Sequence, residues 1–169
     1  MTMMNRRHFV FLAAGLIGVA AAGEGDPGKD VLATVTVTVY YGTNGDPAAA
    51  GARATEISKD AEKKLTADPK LHFSKYRQLG KDEKPLYRSY ENWAQPLRPS
   101  DEVLLRFEAQ SLLAKDVMRL DLELWLSRKK ILKTDAPLSP SKPLLVLGPE
   151  WRGGRLILAI ELAPATSKP

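Results

Sequence analysis

Aromatic rings set among polar residues are the most distinctive chemistry in this sequence. Tyr87, Tyr90 and Trp93 recur three apart in LYRSYENW, Trp125 follows Glu123 on a polar strand face, and Trp151 is followed by Arg152. Such rings bind sugars or protein surfaces when exposed and pack over a sheet edge when covered. Tyr87, Tyr90, Trp93, Trp151 and Arg152 are accordingly the candidate binding residues. An ionic candidate stands beside them. Arg128, Lys129 and Lys130 with Lys133 form a basic cluster at an expected hairpin tip, suited to lipid headgroups, acidic glycans or an acidic partner. Charged tips also serve simply to protect strand edges.

Catalytic patterns are scarce. There is no cysteine, and apart from His8 the single histidine is His72, expected in a strand without a nucleophile-elbow serine. No HxxxH or CxxC spacing is present, GTNGD lacks the alternating acids of a calcium loop, and no glycine-rich segment precedes a helix as a phosphate cradle would. No metal and no cofactor is expected. Glycoside hydrolysis needs only two suitably spaced carboxyl groups. Glu91, Asp101, Glu102 and Glu150 lie near expected loops or turns, while Asp121 with Glu123, and Glu56 with Asp60, share faces of single elements. They read as solvated acids.

The elements that position these residues read mainly as strands. Val31 to Tyr41 alternates Val35, Val37 and Val39 with Thr34, Thr36 and Thr38, a period of two in β-branched residues. Asp46 and Pro47 offer an N-cap and a first turn for a helix over about 47–66, with Ala50, Ala54, Ile57, Ala61 and Leu65 along one face. Leu71 to Leu79 reads as a strand. Gly80 to Ser100 reads as a long connection carrying the three aromatics, of the size that compact domains use for function. Val103 to Ala109 and Met118 to Leu126 alternate as half-buried strands, with Leu122 inward and Arg119 outward. A short strand is expected at Ile131 to Lys133, a proline-rich linker over 136–143, and a closing hairpin turning at Gly153-Gly154. Its last strand puts Leu156, Leu158, Ile160 and Leu162 on one face and Glu161 on the other. The expected fold class is α+β, mainly β: an antiparallel sheet or two-sheet sandwich with one helix packed against it. Short connections between the later strands exclude a doubly wound parallel sheet.

The chain begins with a positive pair at Arg6 and Arg7, an apolar run from Phe9 to about Ala20, and small residues at Ala20 and Ala22 that fit an A-x-A cleavage site before Gly23. The run is shorter than a bilayer span and thinned by Gly15 and Gly18. Asn5-Arg6-Arg7-His8-Phe9-Val10 resembles the twin-arginine (Tat) export motif, with Asn in place of the usual Ser or Thr and without the common later Lys. That resemblance covers about the first 22 residues and implies Arg6, Arg7 and Phe9 as the export signal, the export machinery as a partner, and a periplasmic or secreted product. Cleavage would remove two arginines and no acid, taking the net charge from +5 to +3. So small an excess gives no footprint for nucleic acid.

The expected organisation is a signal peptide over 1–22, a flexible leader over 23–30, one domain over 31–163 and a disordered tail over 164–169. No stable membrane span is expected in the mature chain. The function expected is that of a non-catalytic binding or accessory protein of the cell envelope, recognising a protein or glycan through loop aromatics. The alternative is a glycan hydrolase using loop carboxylates.

Overall fold

The fold is a two-sheet antiparallel β-sandwich, seen in a computed structural model that describes residues 25–114 and 116–164. The expected signal peptide, with Arg6, Arg7 and Phe9, and the tail beyond Pro164 lie outside the described residues. Eight strands form: β1 (Val31–Thr43), β2 (Lys75–Tyr87), β3 (Asn92–Ala94), β4 (Val103–Ala114), β5 (Val117–Leu126), β6 (Lys129–Leu138), β7 (Leu144–Trp151) and β8 (Gly154–Pro164). The first sheet has the order β2-β1-β8-β7 and the second β3-β4-β5-β6, with every pairing antiparallel. The single α-helix among the described residues is α1 (Lys59–Thr66). Among the described residues no helix is long and apolar enough to cross a membrane.

Strict alternation produced the core. Val35, Val37 and Val39 of β1 and Leu156, Leu158 and Ile160 of β8 face Leu105 and Phe107 of β4 and Leu120, Leu122 and Leu124 of β5, all nearly or wholly buried. A second cluster lies on the other side of the first sheet, where Leu65 of α1 and Leu71 pack with Tyr76 and Ile157. The first sheet is therefore covered on both faces. Its threonine stripe is shielded too, with Thr36 and Thr38 buried. Because α1 covers the first sheet, the outer face of the second sheet, which carries Trp125, is free of it.

Several boundaries differ from the expectation, each for a physical reason. The helix is less than half as long as expected. Asp46 does cap a turn led by Pro47, its carboxylate accepting from the Ala48 N–H at 2.9 Å, but that turn is a four-residue 3-10 helix ended by Gly51 at φ 95°. Thr55 then bridges to Gln78 as extended chain, and Ser58 caps α1 by accepting from the Ala61 N–H at 3.2 Å. A glycine costs a helix about 1 kcal/mol, and here it takes a backbone conformation that helices exclude. His72 follows another 3-10 turn, Pro69–Leu71, and is exposed outside any strand.

The expected long connection is mostly sheet. β2 runs on through Lys81, Asp82, Glu83, Lys84 and Pro85, which carry no hydrophobic alternation because β2 is an edge strand, where charge and proline guard the open side. At Gly80 a Cβ would fall 2.0 Å from the Pro96 carbonyl oxygen, so the chain after β3 crosses β2 at a point only glycine allows. The expected 136–143 linker is likewise strand as far as Leu138, with Ala136 and Leu138 buried in the core and Pro137 on the edge strand β6.

The last hairpin turns one residue earlier than expected. Arg152 (φ 48°) and Gly153 (φ 75°) make the turn, while Gly154 pairs with Trp151 as the first residue of β8, where a Cβ would lie 2.4 Å from the Tyr41 ring. Ser127 and Arg128, both at positive φ, turn β5 into β6 in the same way. Residues 26–30, expected as a leader, form a 3-10 turn hydrogen-bonded to residues 88–90: Ser89 N–H donates to Gly28 C=O at 3.1 Å and Arg88 N–H to Asp30 C=O at 2.9 Å.

Candidate functional site

Two adjacent β-strands place every second side chain on the same sheet face, so the outward residues of β3 to β6 form one surface. Registry decides which of them meet. Trp93 of β3 lies opposite Arg106 of β4, Arg106 opposite Glu123 of β5, Leu104 opposite Trp125, and Glu123 opposite Lys133 of β6. This surface gathers Trp93, Lys130 and Lys133 from the sequence candidates and adds Trp125, Arg106 and four carboxylates.

The Trp93 and Trp125 rings lie 6.0 Å apart between centroids, tilted by 54°. Trp93 is 37% exposed and Trp125 is half-buried. Each indole is tethered by its own N–H: Trp93 donates to Glu91 at 3.2 Å and Trp125 to Glu123 at 3.3 Å. The Lys130 ammonium stands 5.6 Å from the centre of the Trp125 ring, within cation–π range. The result is a tilted aromatic pair held at its polar edges.

Beneath and beside it runs a charge network centred on Arg106. Its guanidinium donates to Glu91, to Glu108 at 2.7 Å and to Asp121 at 2.7 Å. Lys133 bridges Asp121 at 3.5 Å and Glu123 at 3.3 Å, and Lys130 reaches Glu123 at 3.3 Å. Asp121 and Glu123 are buried, not solvated as the sequence suggested, because the cations of neighbouring strands fold over them. One oxygen of Asp121 is buried without a hydrogen-bond partner among the described residues.

The network fixes protonation. Three carboxylates around Arg106, Glu91 first, hold its guanidinium charged against the cost of partial burial. The hydrogen bond from Arg106, then that from Trp93, pulls Glu91 below the usual carboxylate range. For Glu123 burial opposes ionisation, but hydrogen bonds from Lys133 and Lys130 outweigh it and lower the carboxyl. Lys133 is raised, chiefly by Glu123. The face presents fixed charges at neutral pH.

The remaining candidates are elsewhere. Tyr87 ends β2 opposite Val31, and Tyr90 lies over Gly28 with its hydroxyl donating to Asp26 at 2.7 Å, so it ties down residues 26–30. Tyr87, Tyr90 and Trp93 thus share a stretch of chain but not a common ring cluster, since the ring Trp93 meets is Trp125. The basic cluster divides: Lys130 and Lys133 are spent on Glu123 and Asp121, Arg128 reaches Asp101 at 3.8 Å, and Lys129 is exposed. Trp151 and Arg152 lie at the turn of the β7–β8 hairpin. There the Trp151 ring packs edge-on against Tyr41 at 5.7 Å and donates to Glu102 at 3.1 Å.

Comparison with protein-family models, curated proteins and solved structures finds no match to this chain. Arg106 and Glu108 escaped the sequence reading as ordinary outward charges, although they stand on the strand next to the acidic pair Asp121 and Glu123, with opposite charge available for pairing.

Proposed function

We propose that this chain is an exported cell-envelope protein that binds a glycan, without catalysis, on the outer face of β3 to β6. The observation that carries the reading is the tilted pair of exposed Trp93 and half-buried Trp125, flanked by charged groups already fixed in place. Aromatic faces supply apolar contact for a sugar ring, and fixed carboxylates, guanidinium and ammonium groups supply hydrogen-bond partners for its hydroxyls without reordering on binding. A glycan hydrolase would need one carboxyl held protonated as a general acid. Glu91 and Glu123 are shifted the other way, which favours binding over hydrolysis at this face.

Trp93→Ala is the direct test. The ring is exposed on a three-residue edge strand, so its loss is expected to cost no more than about 1 kcal/mol of stability. Retention on immobilised envelope polysaccharides should fall by about tenfold or more, the scale of a lost aromatic anchor. Retention unchanged in a folded Trp93→Ala protein overturns the glycan reading. Export has its own test. N-terminal sequencing of the extracytoplasmic form is expected to begin at or near Gly23, and replacing both Arg6 and Arg7 with lysine should block export by the twin-arginine route. Undiminished export of that variant contradicts the route while leaving secretion itself in place.

A further inference from the structure

A second surface, which shares no residue with the tryptophan face, has a different chemistry. At the end of the sandwich where β7 turns into β8, a cleft of about 470 Å³ opens between residues 50–54, residues 97–102 and the Trp151-Arg152 turn. Its apolar wall is Leu79, Leu97 and Trp151, each packed against the main core. Its rim is cationic, with Arg53, Arg98 and Arg152 all exposed.

The arginines differ in what they already hold. Arg98 shares Asp82 at 3.5 Å with Lys84 at 3.7 Å. Arg53 and Arg152 make no ion pair and no side-chain hydrogen bond among the described residues. Arg152 is nonetheless held in place. Its guanidinium carbon stacks 4.3 Å from the centre of the Trp151 ring, its main-chain carbonyl accepts from the Tyr41 hydroxyl at 2.9 Å, and Gly51 passes so near that a Cβ there would lie 3.2 Å from its Nη1. Stacking restrains the guanidinium while leaving its in-plane N–H donors unused, which is the state an arginine needs to take an oxyanion with two parallel hydrogen bonds. The one acid on the cleft, Glu102, is engaged by the Trp151 indole at 3.1 Å.

We infer that this cleft is an anion site for a sugar-sized ligand, receiving a carboxylate or phosphate group on Arg152 and Arg53 and the ligand's body against Leu79, Leu97 and Trp151. The volume lies within the range of small-ligand sites. The unpaired guanidinium groups of Arg53 and Arg152, against the one carboxylate of Glu102, set the sign of the charge, and the apolar wall sets a requirement for more than a bare ion. The site is independent of the proposed glycan face and stands or falls separately.

The test uses the full-length protein, labelled so that indole N–H signals are resolved, and titrated separately with glucuronate, glucose 6-phosphate and glucose. Both anions are expected to shift the Trp151 signal saturably, with glucose leaving it in place; the tighter anion tells whether carboxylate or phosphate is preferred. Arg152→Gln and Arg53→Gln should each weaken the anion by about tenfold, the loss of a charged hydrogen-bond pair. Arg152→Lys, which keeps charge without the planar fork, should also weaken it. Because Arg152 occupies a turn at positive φ, Arg53→Gln on its exposed loop guards against a folding defect. A Trp151 signal that fails to saturate with either anion, or that responds equally to glucose, overturns the site. So does unaltered affinity in folded Arg53→Gln and Arg152→Gln.

Discussion

Phe107→Ala will destabilise the fold by about 3–5 kcal/mol, the usual cost of opening a cavity where a phenylalanine filled a core. The side chain is wholly buried between the sheets, with Leu122 opposite it on β5 and the valines of β1 in the same cluster. For a domain of this size the melting temperature should fall by about 10 °C or more. Leu122→Ala, at the neighbouring position, should cost about 2–5 kcal/mol. Arg119→Ala, on the exposed side of β5, should cost under about 1 kcal/mol. Urea unfolding of the three variants measures the free-energy costs, and thermal unfolding of Phe107→Ala measures the fall in melting temperature. Equal costs at Phe107 and Arg119 would mean that the strand faces are reversed.

Arg106→Ala will be the most costly change on the outer face, at about 3 kcal/mol, because it removes one partner from a buried pair and leaves the other charge behind. Arg106 and Asp121 expose only 15% and 11% of their side chains. Lys133 alone then remains on Asp121, and Glu108 loses its guanidinium. The arm to Glu91 contributes less, since that carboxylate is about half exposed and solvent screens it. Adding Asp121→Ala to the Arg106→Ala protein should recover part of the loss by removing the stranded acid.

The same network has a pH signature. Glu91 is depressed below the ordinary 4.5 by Arg106 and then by Trp93. A depressed carboxyl contributes its stability above its unfolded value and loses it as the pH falls through its folded value. The wild-type protein should therefore lose stability below about pH 4.5, and the part due to Glu91 should shrink in Arg106→Ala. Melting curves between pH 7 and pH 3 for both proteins read the difference.

What could be read from the sequence followed from period-two alternation. β1, β4, β5 and β8 were legible because each buries one strict apolar row, and the inward placing of Leu122 and Leu158 and the outward placing of Arg119 and Glu161 agree with the structure. The second half of β2 was not legible, since an edge strand that needs no apolar outer row can spend its residues on lysine, aspartate, glutamate and proline. Gly51 was the unread signal that the expected helix breaks. At the surface, the individual groups were visible but their meeting was not. Trp93 and Trp125 are separated by two strands' length of chain, and only the pairing of β3 with β4 and of β4 with β5 brings their rings to 6.0 Å. The basic cluster looked free because its acidic partners, Asp121 and Glu123, were assigned to solvent.

The sequence contains three tryptophans, Trp93, Trp125 and Trp151, and so three indole N–H signals that separate the two surfaces within one spectrum. Titrating the labelled protein with soluble fragments of envelope polysaccharide is the most direct measurement of the proposed function. The Trp93 and Trp125 signals should move together and saturate, because both indoles flank the same face and donate to carboxylates of one network. Trp151, at the β7–β8 turn and outside the network that holds the other two indoles, should stay still with neutral fragments. Neutral fragments that leave Trp93 and Trp125 unmoved, or that shift Trp151 instead, would contradict the assignment of glycan binding to the outer face of β3 to β6.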